Sequence, residues 1–418
     1  MPRSLAALML SMQRRDRFVR LLALVIAVGH VAASASAITL KFDYTYDVGG
    51  FFGTDAAPTP ARHALEFAGR AFDAFSDSLV PIQPADGNSW SARFRNPGTG
   101  DQASIDNLTV SADTVIVFAG ARNLTGAKLA EGGRGSHTFP IGSTPSPAFA
   151  DAVTNRSQGS SAVDFAPWGG FIEFDTTASN GSPRQWWQEL DSSPPSGAFD
   201  FYTVAVHELA HLFGFGTSTA FSADIANGQF IGATAVELFG QPIPLHSDSQ
   251  HWAVTVDSPP FADGTRPQPS LGPMLSPGNR QLFTPLDYAA MADIGWLVPP
   301  ELLRLPGDAD GDDDADGSDL LVWQRNLGGG GGSQGDVNGD LIVDAYDGWL
   351  VRNSFGSVAG PIGGSALSMA SVPEPAVAVM IVTGALALAA RRQIVGLSLR
   401  ERKFCSRREQ TILNPKAS

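Results

Sequence analysis

A single cysteine, Cys405, serves a chain of 418 residues. No disulfide can close inside the chain, and upstream of that position no thiolate can ligate a metal or attack a substrate. Basic charge is scarce too. The formal net charge is -14. Five Lys or Arg fall in residues 1–37 and eight in residues 373–418, leaving fifteen against 38 acidic residues in between. Such an acidic middle excludes nucleic acid as the main partner, because phosphates demand Lys and Arg. Charged residues make up 17% and hydrophobic residues 43%, which excludes wholesale disorder and leaves material for a core. The 45 Gly and 29 Pro follow no fibrous period and mark loops and linkers. The length predicts two or three structural units.

Both ends read as addresses. A positive stretch, the apolar run LLALVIAVGHVAA and a small-residue SASA site form a secretory signal, with cleavage expected after Ala37. Near the other end, Val372-Pro373-Glu374-Pro375 precedes an apolar run from Ala376 to Ala390 and the pair Arg391-Arg392. That run is a marginal membrane span with positive charge on its cytoplasmic side. The order of these parts resembles the PEP-CTERM sorting signal. The resemblance implies processing by an exosortase and delivery to the surface or matrix of a bacterium. About 26 residues follow the arginines, which departs from that family.

Two segments repeat 28 residues apart, at Gly307 and Gly335. Oxygen side chains recur at loop positions 1, 3, 5, 9 and 12, with a helix expected at the end. Calcium takes six to eight oxygens around a tight loop, so this spacing predicts two structural calcium sites. The candidate ligands are Asp308, Asp310, Asp312, Asp316 and Asp319 in one copy. In the other they are Asp336, Asn338, Asp340, Asp344 and Asp347. The backbone carbonyls of Asp314 and Ile342 would add one oxygen each. An EF-hand wants Gly at position 6 and Glu at 12, where this chain has Asp313 or Leu341 and an Asp. The pair instead resembles a type I dockerin repeat, which implies folding on calcium and a cohesin as partner.

Residues 38–300 form the larger unit. Strand periodicity covers Ile38 to Asp47, helical spacing covers Ala61 to Leu79, and strands are expected at Thr114–Ala119 and Gly169–Asp175. Asp200 is a suitable N-cap for a helix reaching about Phe213 and stopped by Gly214; a closing helix is expected from Pro285 to Ile294. The layout is α+β.

The chemistry sits on the central helix, at His207-Glu208-Leu209-Ala210-His211. Positions i and i+4 share a helix face, so both imidazoles can reach one ion. Zinc lowers the pKa of a bound water to near 7, and Glu208 is placed to take the proton. A third ligand is required. The contiguous form H-E-x-x-H-x-x-G-x-x-H would put it at Thr217, a poor ligand; His63, His137, His246, His251 and the downstream Glu237 stay open as candidates. The order HELAHLFGFG, Gln250-His251-Trp252, Pro273-Met274-Leu275-Ser276-Pro277 resembles a leishmanolysin-type metzincin. That resemblance implies a mixed sheet with three main helices. It also implies His207, His211 and His251 on zinc, Glu208 as base, Met274 as the turn residue under the metal and Gly214 as the helix-end turn. It further makes the strand Phe171–Asp175 the edge that pairs with extended substrate. Tyr288 and His246 stand as candidates for an oxyanion donor.

The expected organisation is then a signal at 1–37, a zinc peptidase unit at 38–300 and a linker at 301–306. Calcium repeats follow at 307–357, then a linker at 358–371, a sorting and transmembrane segment at 372–392 and a basic tail at 393–418. The function expected is a secreted zinc endopeptidase acting on protein or peptide substrate. The alternatives are a non-catalytic calcium-binding surface protein and a zinc hydrolase of non-peptide esters or amides.

Overall fold

Strand Thr114–Arg122 alternates two apolar sets, and the molecule is layered around it. Val115, Val117 and Ala119 face one core, while Ile116 and Phe118 face another. The computed structural model describes residues 36–358 apart from 86, 259–266 and 331–333. The expected signal, save its last two residues, and the expected sorting segment and basic tail lie outside the described residues. No described helix is long and apolar enough to cross a membrane.

The strands are β1 (Thr39–Asp43), β2 (Ser91–Arg95), β3 (Gln102–Asp106), β4 (Thr114–Arg122), β5 (Ala130–Arg134), β6 (Ser136–Thr138) and β7 (Gly169–Asp175). Shorter pairings join the loops. The helices are α1 (Pro60–Gly69), α2 (Pro147–Asn155), α3 (Phe201–Leu212), α4 (Thr219–Ala223), α5 (Ala233–Phe239), α6 (Pro285–Asp293), α7 (Gly317–Asn326) and α8 (Ala345–Ser354). The fold is α+β with a mixed sheet. Its order is β1-β4-β7-β5, with β1, β4 and β7 parallel and β5 antiparallel at the edge. Helices α1, α3 and α6 cover one face. The small sheet β6-β2-β3 and α2 cover the other.

Two expectations for the larger unit change here. The strand Gly169–Asp175 forms where expected, but it is an inner strand with β4 and β5 on either side, so it cannot offer a free edge. The edge is β5. The helix expected from Ala61 to Leu79 ends at Gly69 and tightens into a 3-10 turn at Arg70–Phe72. Ala71, Phe72 and Phe75 still reach the core, so the apolar spacing outlasts the helix that suggested it. Phe72 stacks on Phe213 with centroids 4.6 Å apart.

Helix α3 is buried on eleven of its twelve residues, all but His207. A helix apolar all round belongs in the core. Asp200 caps it, accepting from Thr203 N at 3.1 Å and Thr203 Oγ1 at 2.7 Å. Arg280 pairs with the same carboxylate at 2.8 Å.

The repeats at 307–357 fold as one motif used twice. Asp319 Oδ1 accepts from Ala309 N and its Oδ2 from Asp316 N; Asp347 Oδ1 accepts from Val337 N and its Oδ2 from Asp344 N. Position 6 adopts the left-handed conformation in both copies, with φ 70 at Asp313 and at Leu341, so the turn an EF-hand assigns to Gly is kept without it. The six residues read as a linker are packed: Pro300–Leu303 is a 3-10 turn, and Leu302 and Leu305 are buried. Helix α8 lies on the larger unit. Tyr346 and Trp349 are each 1% exposed, and Trp349 sits 4.6 Å from the Tyr202 ring of α3.

Candidate metal centre

Three imidazoles converge. His207 and His211, one turn apart on α3, have Nε2 atoms 3.1 Å apart. His251 Nε2 lies 3.2 Å from each. The third ring arrives on a hairpin after an insertion that contains α4 and α5. His246 N donates to His251 O at 2.8 Å, and Leu245 pairs with Trp252. The side chain of Trp252, fully buried, anchors that hairpin.

Every Nδ1 is already engaged. His207 Nδ1 lies 2.6 Å from Ser270 O, His211 Nδ1 2.9 Å from Phe215 O, and His251 Nδ1 2.9 Å from Asp248 Oδ2. These partners are acceptors, so each Nδ1 carries a proton, and in the neutral tautomer the Nε2 lone pair is left to face the centre of the triangle. Burial, and then the neighbouring imidazoles, hold His207 well below its ordinary pKa. Burial, and then His251, push His211 down to about 4. Neutral rings with lone pairs facing one another at this distance repel unless a cation sits among them. The spacing suits nitrogen ligands at ~2.0–2.1 Å from one tetrahedral ion. These residues form a group able to hold a metal ion.

Glu208, beside the first imidazole, lines the same cleft as the three histidines, on the side of strand β5. It is buried, which pushes its carboxyl up to about 8 against the opposing pull of the Gly132 N–H. Gly132 belongs to β5, and no larger residue fits there: a Cβ would lie 2.2 Å from Glu208 O. Strand β5 therefore runs against the helix at the level of Glu208. Arg134 Nε donates to Thr217 O at 3.2 Å, tying the strand's end to the loop after α3.

Gly214 ends the helix at φ 108, where a Cβ would lie 2.4 Å from the Phe165 ring. The swing it permits lets Phe215 O return to His211. Met274 departs from expectation. Its side chain is 76% exposed on the cleft wall, because the loop passes the histidines four residues earlier, at Ser270. Glu237 is exposed on α5, apart from the histidine group. Tyr288 is buried with its hydroxyl on Ala71 O at 3.0 Å, so neither it nor His246 lines the cleft.

Two residues that shape the site carry no sequence motif. Asp248 Oδ2 lies 2.9 Å from both His246 Nδ1 and His251 Nδ1. Burial opposes its charge, but the Gln250 N–H and the two imidazoles hold its carboxyl at about 2. Asp287, fully buried, accepts from Trp252 Nε1, Ser270 N and both polar groups of Thr284, each at 2.8–2.9 Å. It fixes the neighbours of His251 and His207 together. The signal was local only for the α6 cap, where Thr284 and Asp287 form a capping box.

The cleft over these groups encloses about 950 Å³. Its walls include β5, Phe171, Phe199, Val204 and the Gly272–Leu275 turn. No family model, curated protein or solved structure matches this chain.

The first acidic loop gathers Asp308, Asp310, Asp312 and Asp319, with ligand oxygens within 4.8 Å of one another. Asp314, Asp316 and Asp319 form an adjoining group. Asp310 Oδ1 and Asp314 Oδ1 are buried atoms with no hydrogen-bond partner, which suits a cation. The second loop differs: Asp340 and Asp344 are paired with Arg70.

Proposed function

We propose that this chain is a zinc-dependent endopeptidase of metzincin type, carrying a dockerin-like calcium module. The observation that carries the reading is the triangle of Nε2 lone pairs with Glu208 beside it. His207, His211 and His251 would hold zinc, the donor set of catalytic sites with one open position. When bound, zinc supplies a Lewis acid that polarises a carbonyl and makes hydroxide available near neutral pH.

The protein's own groups do the rest. Strand β5 is a free edge beside the helix, and an extended peptide laid along it would gain backbone hydrogen bonds. That places a scissile carbonyl over the histidines. Glu208 accepts a proton from the attacking water and delivers it to the departing amine. The Gly132 N–H orients that carboxylate. Asp248 and the carbonyls of Ser270 and Phe215 keep the three rings in the ligating tautomer.

Asp308, Asp310, Asp312, Asp316 and Asp319, with the Asp314 carbonyl, would hold one calcium ion. The ends of the sequence support export and surface delivery. The test is Glu208→Gln, which should retain zinc and lose cleavage of a casein-type substrate. Undiminished cleavage would overturn the assignment.

A further inference from the structure

Arg70 is the first residue past α1, at the point where the helix ends early. Its side chain leaves the larger unit and enters the second acidic loop. Nη2 lies 2.8 Å from Asp340 Oδ2, and Nη1 lies 2.7 Å from Asp344 Oδ2 and 2.9 Å from its Oδ1. Asp73 stands 3.6 Å from Nε, and the Tyr346 ring lies under the guanidinium at 5.1 Å. Asp340 and Asp344 hold loop positions 5 and 9, two of the side chains that calcium would need. Their oxygens also accept from Asn338 Nδ2 and Tyr346 N. A planar, forked cation with five donors satisfies two carboxylates that would otherwise face a spherical ion.

The first loop offers the comparison. Among the described residues, no arginine or lysine pairs with Asp312 or Asp316, their equivalents. There the carboxylates cluster; among the described residues no group of three carboxylates does so in the second loop. Asp336 Oδ1, buried without a hydrogen-bond partner, is a feature the second loop shares with the first.

We propose that Arg70 is the resident cation of the second repeat: it takes the place of a calcium ion, so the chain binds one calcium rather than two, and the second loop is the socket that fastens the module to the zinc-helix unit. The aromatic seam beside it fits a fastening role. Phe67 of α1 packs on Tyr346 and Trp349 at 4.9 and 5.1 Å, and Tyr202 of α3 meets Tyr346 hydroxyl to hydroxyl at 3.2 Å. With these side chains used internally, that face of α8 is closed to a cohesin.

The stoichiometry rests on reading the first loop as a calcium site; the fastening does not. Calcium titration of the chelator-stripped full chain by calorimetry should give one ion for the wild type and two for Arg70→Ala. Two ions in the wild type would overturn the proposal and leave the calcium reading standing. One ion in both would overturn the claim that Arg70 and calcium compete. No ion in either would overturn the calcium reading and the stoichiometry with it. The fastening has its own test in calcium-free thermal melts of Arg70→Gln, Asp340→Asn and the double variant. The double variant should lose no more melting temperature than the worse single one. Additive losses would overturn the ion-pair socket.

Discussion

Trp252 donates its indole N–H to Asp287 at 2.9 Å, and through that bond the hairpin carrying His251 is held to the loop that orients His207. The same carboxylate caps α6. Three imidazoles brought from distant parts of the chain are thus held together by one buried carboxylate.

Asp287→Ala should be the most damaging change outside the ligands. It strips the acceptor from Trp252 Nε1, Ser270 N and Thr284 N, all buried. A loss of about 3 kcal/mol is expected, with weakened zinc retention. Denaturant unfolding followed by dialysis against chelator checks both; an unchanged midpoint contradicts the role.

Asp248→Ala tests orientation rather than folding. Asp248 is partly exposed and contacts two imidazoles. Zinc affinity should fall about 10–100-fold with little change in melting of the metal-free protein. Competition with a chromophoric chelator reads this out. Unchanged affinity would show that His251 needs no carboxylate partner.

Gly132→Ala puts a methyl group 2.2 Å from the Glu208 carbonyl. Helix and edge strand must part, and small misplacements of a catalytic group are costly. kcat should drop about 10–100-fold while zinc content stays at one per chain. Wild-type kcat would mean that β5 does not set the position of Glu208.

Asp77 gives a pH signature away from the metal. Burial, and then the charge of Asp164, raise its carboxyl from 3.8 to about 7. The folded state therefore holds a proton that the unfolded state releases earlier. That stabilisation is complete below about pH 4 and is lost as pH rises through 7. Asp77→Asn should flatten this part of the profile, so its melting temperature gains on wild type from pH 4 to 7. Parallel profiles would remove Asp77 as the source.

The helix Phe201–Leu212 was legible in advance because its markers are local: the Asp200 cap, the i, i+4 histidines and the Gly214 stop. His251 was reached through a resemblance, and the hairpin brings its ring beside those of His207 and His211. The edge strand was not legible. Ala130–Arg134 reads AEGGR, without alternation, and becomes a strand by pairing with β7. Asp287 looked like one more helix residue, since its partners Ser270 and Trp252 lie 17 and 35 positions away. The Arg70–Asp344 pair spans 274 positions, and no local pattern marks it.

Zinc stoichiometry and peptide cleavage measured together on wild type, His251→Ala and Glu208→Gln test the three-imidazole centre most directly. One zinc with cleavage is expected for the wild type, neither for His251→Ala, and zinc without cleavage for Glu208→Gln. Full zinc occupancy and activity in His251→Ala would contradict it.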